Sequence, residues 1–222
     1  MSTLYIVPTP IGNMKDITLR ALEVLKRVEY IACEDTRRTL KLLNFYEIKN
    51  KKLLSYYYPK EREKMRPILN ILKEGKDVAL VSDSGTPLIS DPGYLLVTKC
   101  IEEGIRVEAL PGPTAFVPAL VASGLQIDRF IFLGFPPKRG ARKFWEEIGK
   151  LEYITVVFYE SPSRIKKTLS LLKEVFGDID VVIAKEITKL NEEFIRGDIS
   201  HILESLPEDK IKGEFVVVFR LC

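Results

Sequence analysis

Hydrophobic and polar positions follow two rhythms along this chain. Short runs in which nearly every residue is apolar (Leu4–Val7, Tyr30–Cys33, Val78–Ser82 and Val107–Leu110) predict strands. They alternate with longer stretches, around Thr18–Lys26, Thr36–Leu43, Glu61–Lys73 and Tyr94–Glu103, whose apolar residues recur at helical spacing. A continuous apolar strand such as Val78–Ser82 predicts burial on both faces, as in a parallel sheet covered by helices. The first half therefore reads as α/β, through the helix after Pro113.

From Phe130 onward the rhythm changes. A strand-like Phe130–Phe135 precedes a basic helix near Ala141–Lys150 and a strand over Ile154–Tyr159. The next helix has a clear start, with Ser161 able to cap it and Pro162 suited to its first turn. Three more strand-like runs follow, Val181–Ile187, Glu192–Ile199 and Glu214–Leu221. Closer spacing and stronger alternation predict a mixed or largely antiparallel second sheet. With Ser123–Phe130 as linker, the expected organisation is an N-terminal α/β domain at 1–122 and a C-terminal α/β domain at 123–222.

Composition narrows the chemistry. Hydrophobic residues make up 46% of the 222, enough for substantial cores. No apolar run approaches the roughly 20 residues of a membrane span, and Met1–Pro10 lacks the pattern of a signal peptide. Cys33, Cys100 and Cys222 are odd in number and far apart, so neither a zinc site nor a disulfide framework is expected. These features predict a reduced, cytoplasmic protein without a metal. The single histidine, His201, excludes histidine-rich metal sites and leaves little room for a Ser-His-Asp or Cys-His arrangement. The net charge of +3 is too mild to demand a nucleic-acid partner, so local clusters matter more. They occur at Arg37, Arg38 and Lys41, at Lys60–Arg66, and at Lys138, Arg139, Arg142 and Lys143. Taken alone, each is more often a solvated helix face than a binding patch.

In open α/β sheets ligands bind beyond the carboxyl ends of strands, and three loops there have unusual sequence. Val7–Asn13, VPTPIGN, is stiffened by two prolines, and Asp16 or Thr18 can cap the helix that follows. It lacks the GxGxxG pattern of a dinucleotide-binding fold. Ser82–Gly93, SDSGTPLISDPG, is longer than a simple connection and rich in proline, glycine and acidic residues. Ala109–Ala115, ALPGPTA, fixes the chain path with Pro-Gly-Pro, and Thr114 can cap the next helix or offer it to a ligand.

Taken together and in order, these motifs resemble the tetrapyrrole methylase superfamily. The match is nearest its bacterial branch that methylates the 2'-oxygen of a cytidine in 16S ribosomal RNA. The carrying segments are PTPIGNMKDIT, CEDTRRT at Cys33–Thr39, LVSDSGTPLISDPG and LPGPTA, then FLGFPPKRGARK, VFYESPSRI and AKEITKLNEEFIRG. The resemblance implies a two-domain α/β homodimer with S-adenosylmethionine in a cleft between the domains. It also implies a small-subunit ribosomal RNA partner. RNA-modifying members often run on into a further carboxyl-terminal helical segment, where this chain ends at Phe219–Cys222. Carried over, cofactor contacts are expected at Pro10, Asp83, Ser84, Gly85, Leu88, Thr114 and Ala115, and near Glu160 and Ile187. Tetrapyrrole-directed members resemble GxGPGD at the first loop, whereas this chain has Pro8, Pro10 and Asn13 there and adds CEDTRRT and KRGARK.

A ribose hydroxyl must shed a proton as it attacks, and a sulfonium cofactor is already a strong methyl donor. Asp35, Glu160 and Lys185 are the candidate proton acceptors, with Asp35 first because it follows the second strand; capping the next helix is its plainer role. Arg37, Arg38, Lys138, Arg139 and Arg142 are the candidate phosphate contacts, since a guanidinium can grip phosphate bidentately. Tyr56–Tyr58 can stack on unpaired bases or form half-buried strand. Two other readings stay open: a methylase of a tetrapyrrole or another non-RNA substrate, and a non-catalytic cofactor sensor.

Overall fold

The computed structural model describes residues 2–206 and 211–222. It forms two compact units, Met1–Thr114 and Ala115–Cys222.

The first unit holds a five-stranded, all-parallel sheet. Its strands are β1 (Thr3–Ile6), β2 (Tyr30–Cys33), β3 (Lys52–Ser55), β4 (Val78–Val81) and β5 (Arg106–Ala109), in the spatial order β3-β2-β4-β1-β5. Helices α1 (Leu19–Arg27), α2 (Thr36–Phe45), α3 (Glu61–Lys73) and α4 (Tyr94–Glu102) connect them. Strand alternation divides the core in two. Tyr5, Val7, Ile31, Cys33, Ala79 and Val81 face one way and pack with Val24 and Leu25 of α1 and Leu43 of α2. Leu4, Ile6, Tyr30, Ala32, Val78 and Leu80 face the other way and pack with Leu69 and Leu72 of α3 and Leu96 of α4. Both faces are therefore dry, as the apolar strands predicted. Thr18 caps α1 by accepting the Ala21 N–H at 3.1 Å.

Strand β3 was not anticipated. It is an edge strand with two lysines ahead of it and exposed or half-buried positions, so it carries no apolar run. Tyr56 directly after it is fully buried, while Tyr58 is exposed.

The second unit also has a five-stranded sheet, of mixed direction. Its strands are β6 (Phe130–Phe132), β7 (Ile154–Glu160), β8 (Asp180–Lys185), β9 (Glu193–Asp198) and β10 (Phe215–Leu221), in the order β6-β7-β10-β8-β9. Only β6 and β7 run parallel; the other pairs are antiparallel. One face packs Val156, Phe158, Ile183, Val217 and Phe219 against Trp145 of α6 (Ala141–Ile148), Leu169 of α7 (Ile165–Phe176) and Ile202 of α8 (Ile199–Ser205). The opposite face receives α5 (Phe116–Val121), whose Phe116 stacks on Phe132 with centroids 4.5 Å apart. That packing puts the division between units at Thr114–Ala115, ahead of the Ser123–Phe130 segment read as linker.

Two expected caps are replaced by backbone geometry. Helix α7 begins at Ile165, not beside Ser161, because the Ser161 carbonyl accepts the N–H groups of Arg164 and Ile165 in a tight turn. Helix α5 has Ala115 at its cap position with no side-chain bond, so Thr114 is not its cap. Among the described residues no helix is long and apolar enough to cross a membrane.

Candidate functional site

Because all strands of the first sheet run the same way, the loops after β1, β2, β4 and β5 leave from one edge. Three of them are tied to one another. Thr9 and Gly85 exchange backbone hydrogen bonds of 2.8 and 3.0 Å, an isolated antiparallel bridge between the first two loops. The Thr9 hydroxyl donates to the Ser82 carbonyl at 3.2 Å, and the Ser82 hydroxyl donates to the carbonyl of Gly85 at 3.1 Å. Thr86 donates its hydroxyl to the Pro113 carbonyl at 2.8 Å, which adds the third loop. Gly112 approaches Pro8 so closely that a β-carbon at 112 would lie 2.4 Å from the Pro8 Cβ, leaving room only for glycine.

The Ser82–Gly93 loop is also held under tension. Leu88 and Ser90 occupy the left-handed region at φ 72° and 65°, a conformation that costs about 1–3 kcal/mol for a residue other than glycine. Gly93 packs against the Leu88 side chain, with φ of 147°.

The loop after β2 joins this edge through Asp83. Its carboxylate accepts the Asp35 N–H at 3.0 Å and lies 3.4 Å from the Arg38 guanidinium. Asp35 caps α2 by accepting the Arg37 N–H at 2.8 Å, and it also receives the Arg37 guanidinium at 3.1 and 2.7 Å. The Arg37 side chain holds the Asp35 carboxyl well below the usual carboxylate range. Asp91 behaves in the opposite way: burial, reinforced by the nearby charges of Glu34 and Asp83, pushes it up to about 7 against a Ser82 hydrogen bond. Burial likewise raises Glu34, with Asp83 adding to the effect.

Between the Val7–Asn13 loop and α2 lies a pocket of about 360 Å³. Its lining combines Pro10 and Met14 with Arg38, Lys41, Leu42 and Phe45 of α2, and includes Ser82 and Asp83. Sequence reading selected Pro10, Arg38 and Asp83 but missed the roles of Thr9, Ser82, Leu42, Phe45 and Asp91. The spacing 38, 41, 42, 45 does mark one face of a helix, a signal that mixes cations with apolar residues.

In the first unit the structure thus brings Pro10, Asp35, Arg37, Arg38, Asp83, Ser84 and Gly85 to one sheet edge, with Leu88 and Thr114 in loops tied to it.

In the second unit, Glu160 and Lys185 both lie opposite Phe215 on the central strand, one on each side. Glu160 is 2% exposed and heavily committed. It accepts the Ser161 N–H at 2.8 Å and the Thr168 hydroxyl at 2.6 Å, and lies 3.3 Å from the Arg164 guanidinium. Lys185 is 4.0 Å from Glu193, and Ile187 is buried just beyond it. Lys138 and Arg139 are exposed ahead of α6, whereas Arg142 is paired with Glu174.

The model of the family described as Tetrapyrrole (Corrin/Porphyrin) Methylases matches residues 3–203. Ribosomal RNA small subunit methyltransferase I of Hydrogenobaculum sp. (strain Y04AAS1) is 51% identical over 97% of this chain and 94% of that protein. The protein of the same name from Thermotoga maritima is 48% identical over 98% of each chain. That of Bacillus subtilis is 46% identical over 98% of this chain but 75% of its own length. Among solved structures, a cobalt precorrin-4 methyltransferase superposes with a TM-score of 0.72 at 18% identity, covering 98% of this chain and 94% of that one. Uroporphyrin-III C-methyltransferase from Thermus thermophilus gives 0.65 at 21% identity, with 98% and 94% covered. These solved structures share the fold of two α/β units. With its motifs, its two sheets and nearly its whole length accounted for in this way, the chain belongs to the tetrapyrrole (corrin/porphyrin) methylase family.

Proposed function

We propose that this protein is an S-adenosylmethionine-dependent methyltransferase of small-subunit ribosomal RNA, acting on the ribose 2'-hydroxyl of a cytidine. The observation that carries the reading is the 51% identity to a ribosomal RNA small subunit methyltransferase along 97% of the chain. The cationic pocket beside the tied loops supports it, since an RNA substrate brings phosphate charge.

The residues present fit the cofactor. The charges of Glu34 and Asp83 raise Asp91, and that of Asp83 raises Glu34, so these carboxylates are gathered closely enough to suit a ligand with a positive sulfonium. Pro10, Asp83, Ser84, Gly85, Leu88, Thr114 and Ala115 would hold it from the three loops. When bound, the cofactor supplies an electrophilic methyl group. The stiff, mutually bonded loops lower the ordering cost of binding it.

The chain's own task is then to orient the hydroxyl and receive its proton. Of the candidates, Asp35 is bound by Arg37 in a way that makes it a weak base, so its role in this reading is to cap α2 and aim Arg37 at phosphate. Glu160 spends its oxygens on Ser161, Thr168 and Arg164, which suits holding the chain around it in place. Lys185, whose one ion pair among the described residues is the 4.0 Å contact with Glu193, remains a proposed proton acceptor. Arg37, Arg38, Lys138, Arg139 and Arg142 remain the proposed phosphate contacts.

The reading includes a cytoplasmic homodimer. Exposed Tyr94 and Ile101, seven residues apart on α4, offer an apolar stripe for a second copy, and light scattering of the purified chain tests it. The decisive experiment supplies labelled cofactor with small ribosomal subunits or with uroporphyrinogen, followed by mapping of 2'-O-methyl groups. Transfer to the ribosomal RNA is expected. Transfer to uroporphyrinogen instead, or tight cofactor binding without any turnover, would overturn the reading.

A further inference from the structure

We infer that the pocket between the Val7–Asn13 loop and α2 holds one unpaired nucleotide of the RNA substrate, its base on Phe45 and its phosphate on Lys41 and Arg38. This rests on the RNA methyltransferase reading and adds a substrate-binding site to it.

The pocket's size is the first argument. At about 360 Å³ it lies at the small end of ligand sites, which run roughly 300–1,000 Å³. Its chemistry is the second. Met14, Leu42 and Phe45 offer an apolar surface, and Arg38 and Lys41 offer positive charge on the same helix. A purely apolar ligand would leave the cations unused, and a bare phosphate would leave the apolar side unused; a nucleotide matches both. Lys41 is in no ion pair among the described residues. Among the described residues the one ion pair of Arg38 is its 3.4 Å contact with Asp83, with Glu34 also nearby, and its side chain stays 65% exposed and accessible to a phosphate.

Phe45 is the third argument. It is 62% exposed at the end of α2, although burial of so large a ring is the norm. The ring is nevertheless held in place. Tyr46 packs edge-on against it, with centroids 5.0 Å apart and planes at 82°, and the Tyr46 hydroxyl donates to the Met14 carbonyl. A ring fixed in this way, with its surface open, is a stacking platform whose ordering cost has been met by folding.

The test uses the full chain with small-subunit ribosomal RNA and, for binding, a single-stranded cytidine-containing RNA dodecamer. Because Phe45 is exposed, Phe45→Ala is expected to fold normally. Loss of stacking should weaken dodecamer binding and raise KM for ribosomal RNA by about fivefold to a hundredfold. The affinity for S-adenosylhomocysteine and kcat at saturating RNA should stay within about twofold. Lys41→Gln should reduce the salt slope of RNA binding by about one. Phe45→Trp should restore affinity, and its emission should be quenched by the dodecamer; the native Trp145 is buried.

Wild-type RNA affinity in Phe45→Ala, with the wild-type enzyme methylating RNA, would overturn this site and leave the functional reading standing. Weakened S-adenosylhomocysteine binding in that variant would assign the pocket to the cofactor and overturn it as well. A defect seen with assembled subunits but not with naked RNA would point to a protein partner and do the same. If the wild-type chain methylates no RNA, the reading itself falls, and this site with it.

Discussion

Glu61, in the first turn of α3, accepts the backbone N–H of Gly93 at 2.9 Å through a carboxylate that is itself buried. The same oxygen accepts the Tyr56 hydroxyl at 2.8 Å. One side chain therefore ties the end of the Ser82–Gly93 loop to the residue that follows the edge strand β3.

Glu61→Ala leaves both donors buried without a partner, at a cost of about 1–3 kcal/mol for each. Urea unfolding should show a lowered midpoint, and calorimetry should show weaker binding of S-adenosylhomocysteine because the loop end is released. A wild-type midpoint and affinity would mean that this carboxylate does not hold the loop.

Asp91 predicts a pH dependence of stability. Its folded-state value of about 7 lies above the ordinary 3.8, so the folded chain binds the extra proton between those limits. Stability therefore falls as pH rises from about 4 to about 7, and the full penalty persists above that window. Asp91→Asn removes the ionisation, so its melting temperature should gain on the wild type as pH rises through the window. Parallel melting curves for the two proteins from pH 5 to 8 would refute the assignment.

Asp35→Asn separates two roles of one residue. Asparagine caps a helix about as well as aspartate, so the start of α2 should persist. Since the Asp35 carboxyl is held low by Arg37, it contributes little as a base, and single-turnover methylation of bound RNA should proceed at a near-normal rate. A loss of a hundredfold or more would restore Asp35 as the proton acceptor.

Arg139 and Arg142 should differ although both lie in the basic run before and within α6. Arg139 is exposed, and Arg142 is committed to Glu174. Arg139→Ala should lower the salt slope of RNA binding by about one, and Arg142→Ala by less. Unchanged slopes for Arg139→Ala remove it from the interface.

Much of the first unit could be read in the chain because burial on both faces leaves an unbroken apolar run, as in Val78–Val81. Strand β3 could not, since an edge position surrounded by lysines tolerates exposed residues. The caps at Ser161 and Thr114 were misplaced for a related reason: capping depends on the path of the backbone, and a turn closed by the Ser161 carbonyl leaves the side chain no such task. At the site, proline and glycine marked the right loops. Their meeting is a matter of distant pairs, Thr9 with Gly85 and Gly112 with Pro8, which no local pattern encodes. Phe45 was hidden because an aromatic at the end of an amphipathic helix looks like core.

The placement of β10 has a consequence for synthesis. It is the central strand of the second sheet, with β7 on one side and β8 on the other, yet it follows both in sequence. The first unit's strands are complete by Ala109 and can pair while translation continues, as domains commonly do. The β8–β9 hairpin and β7 must instead wait with unpaired inner edges until Phe215–Leu221 emerges from the ribosome. A nascent chain stalled before that point would present open strand edges to chaperones, and one stalled after it would not.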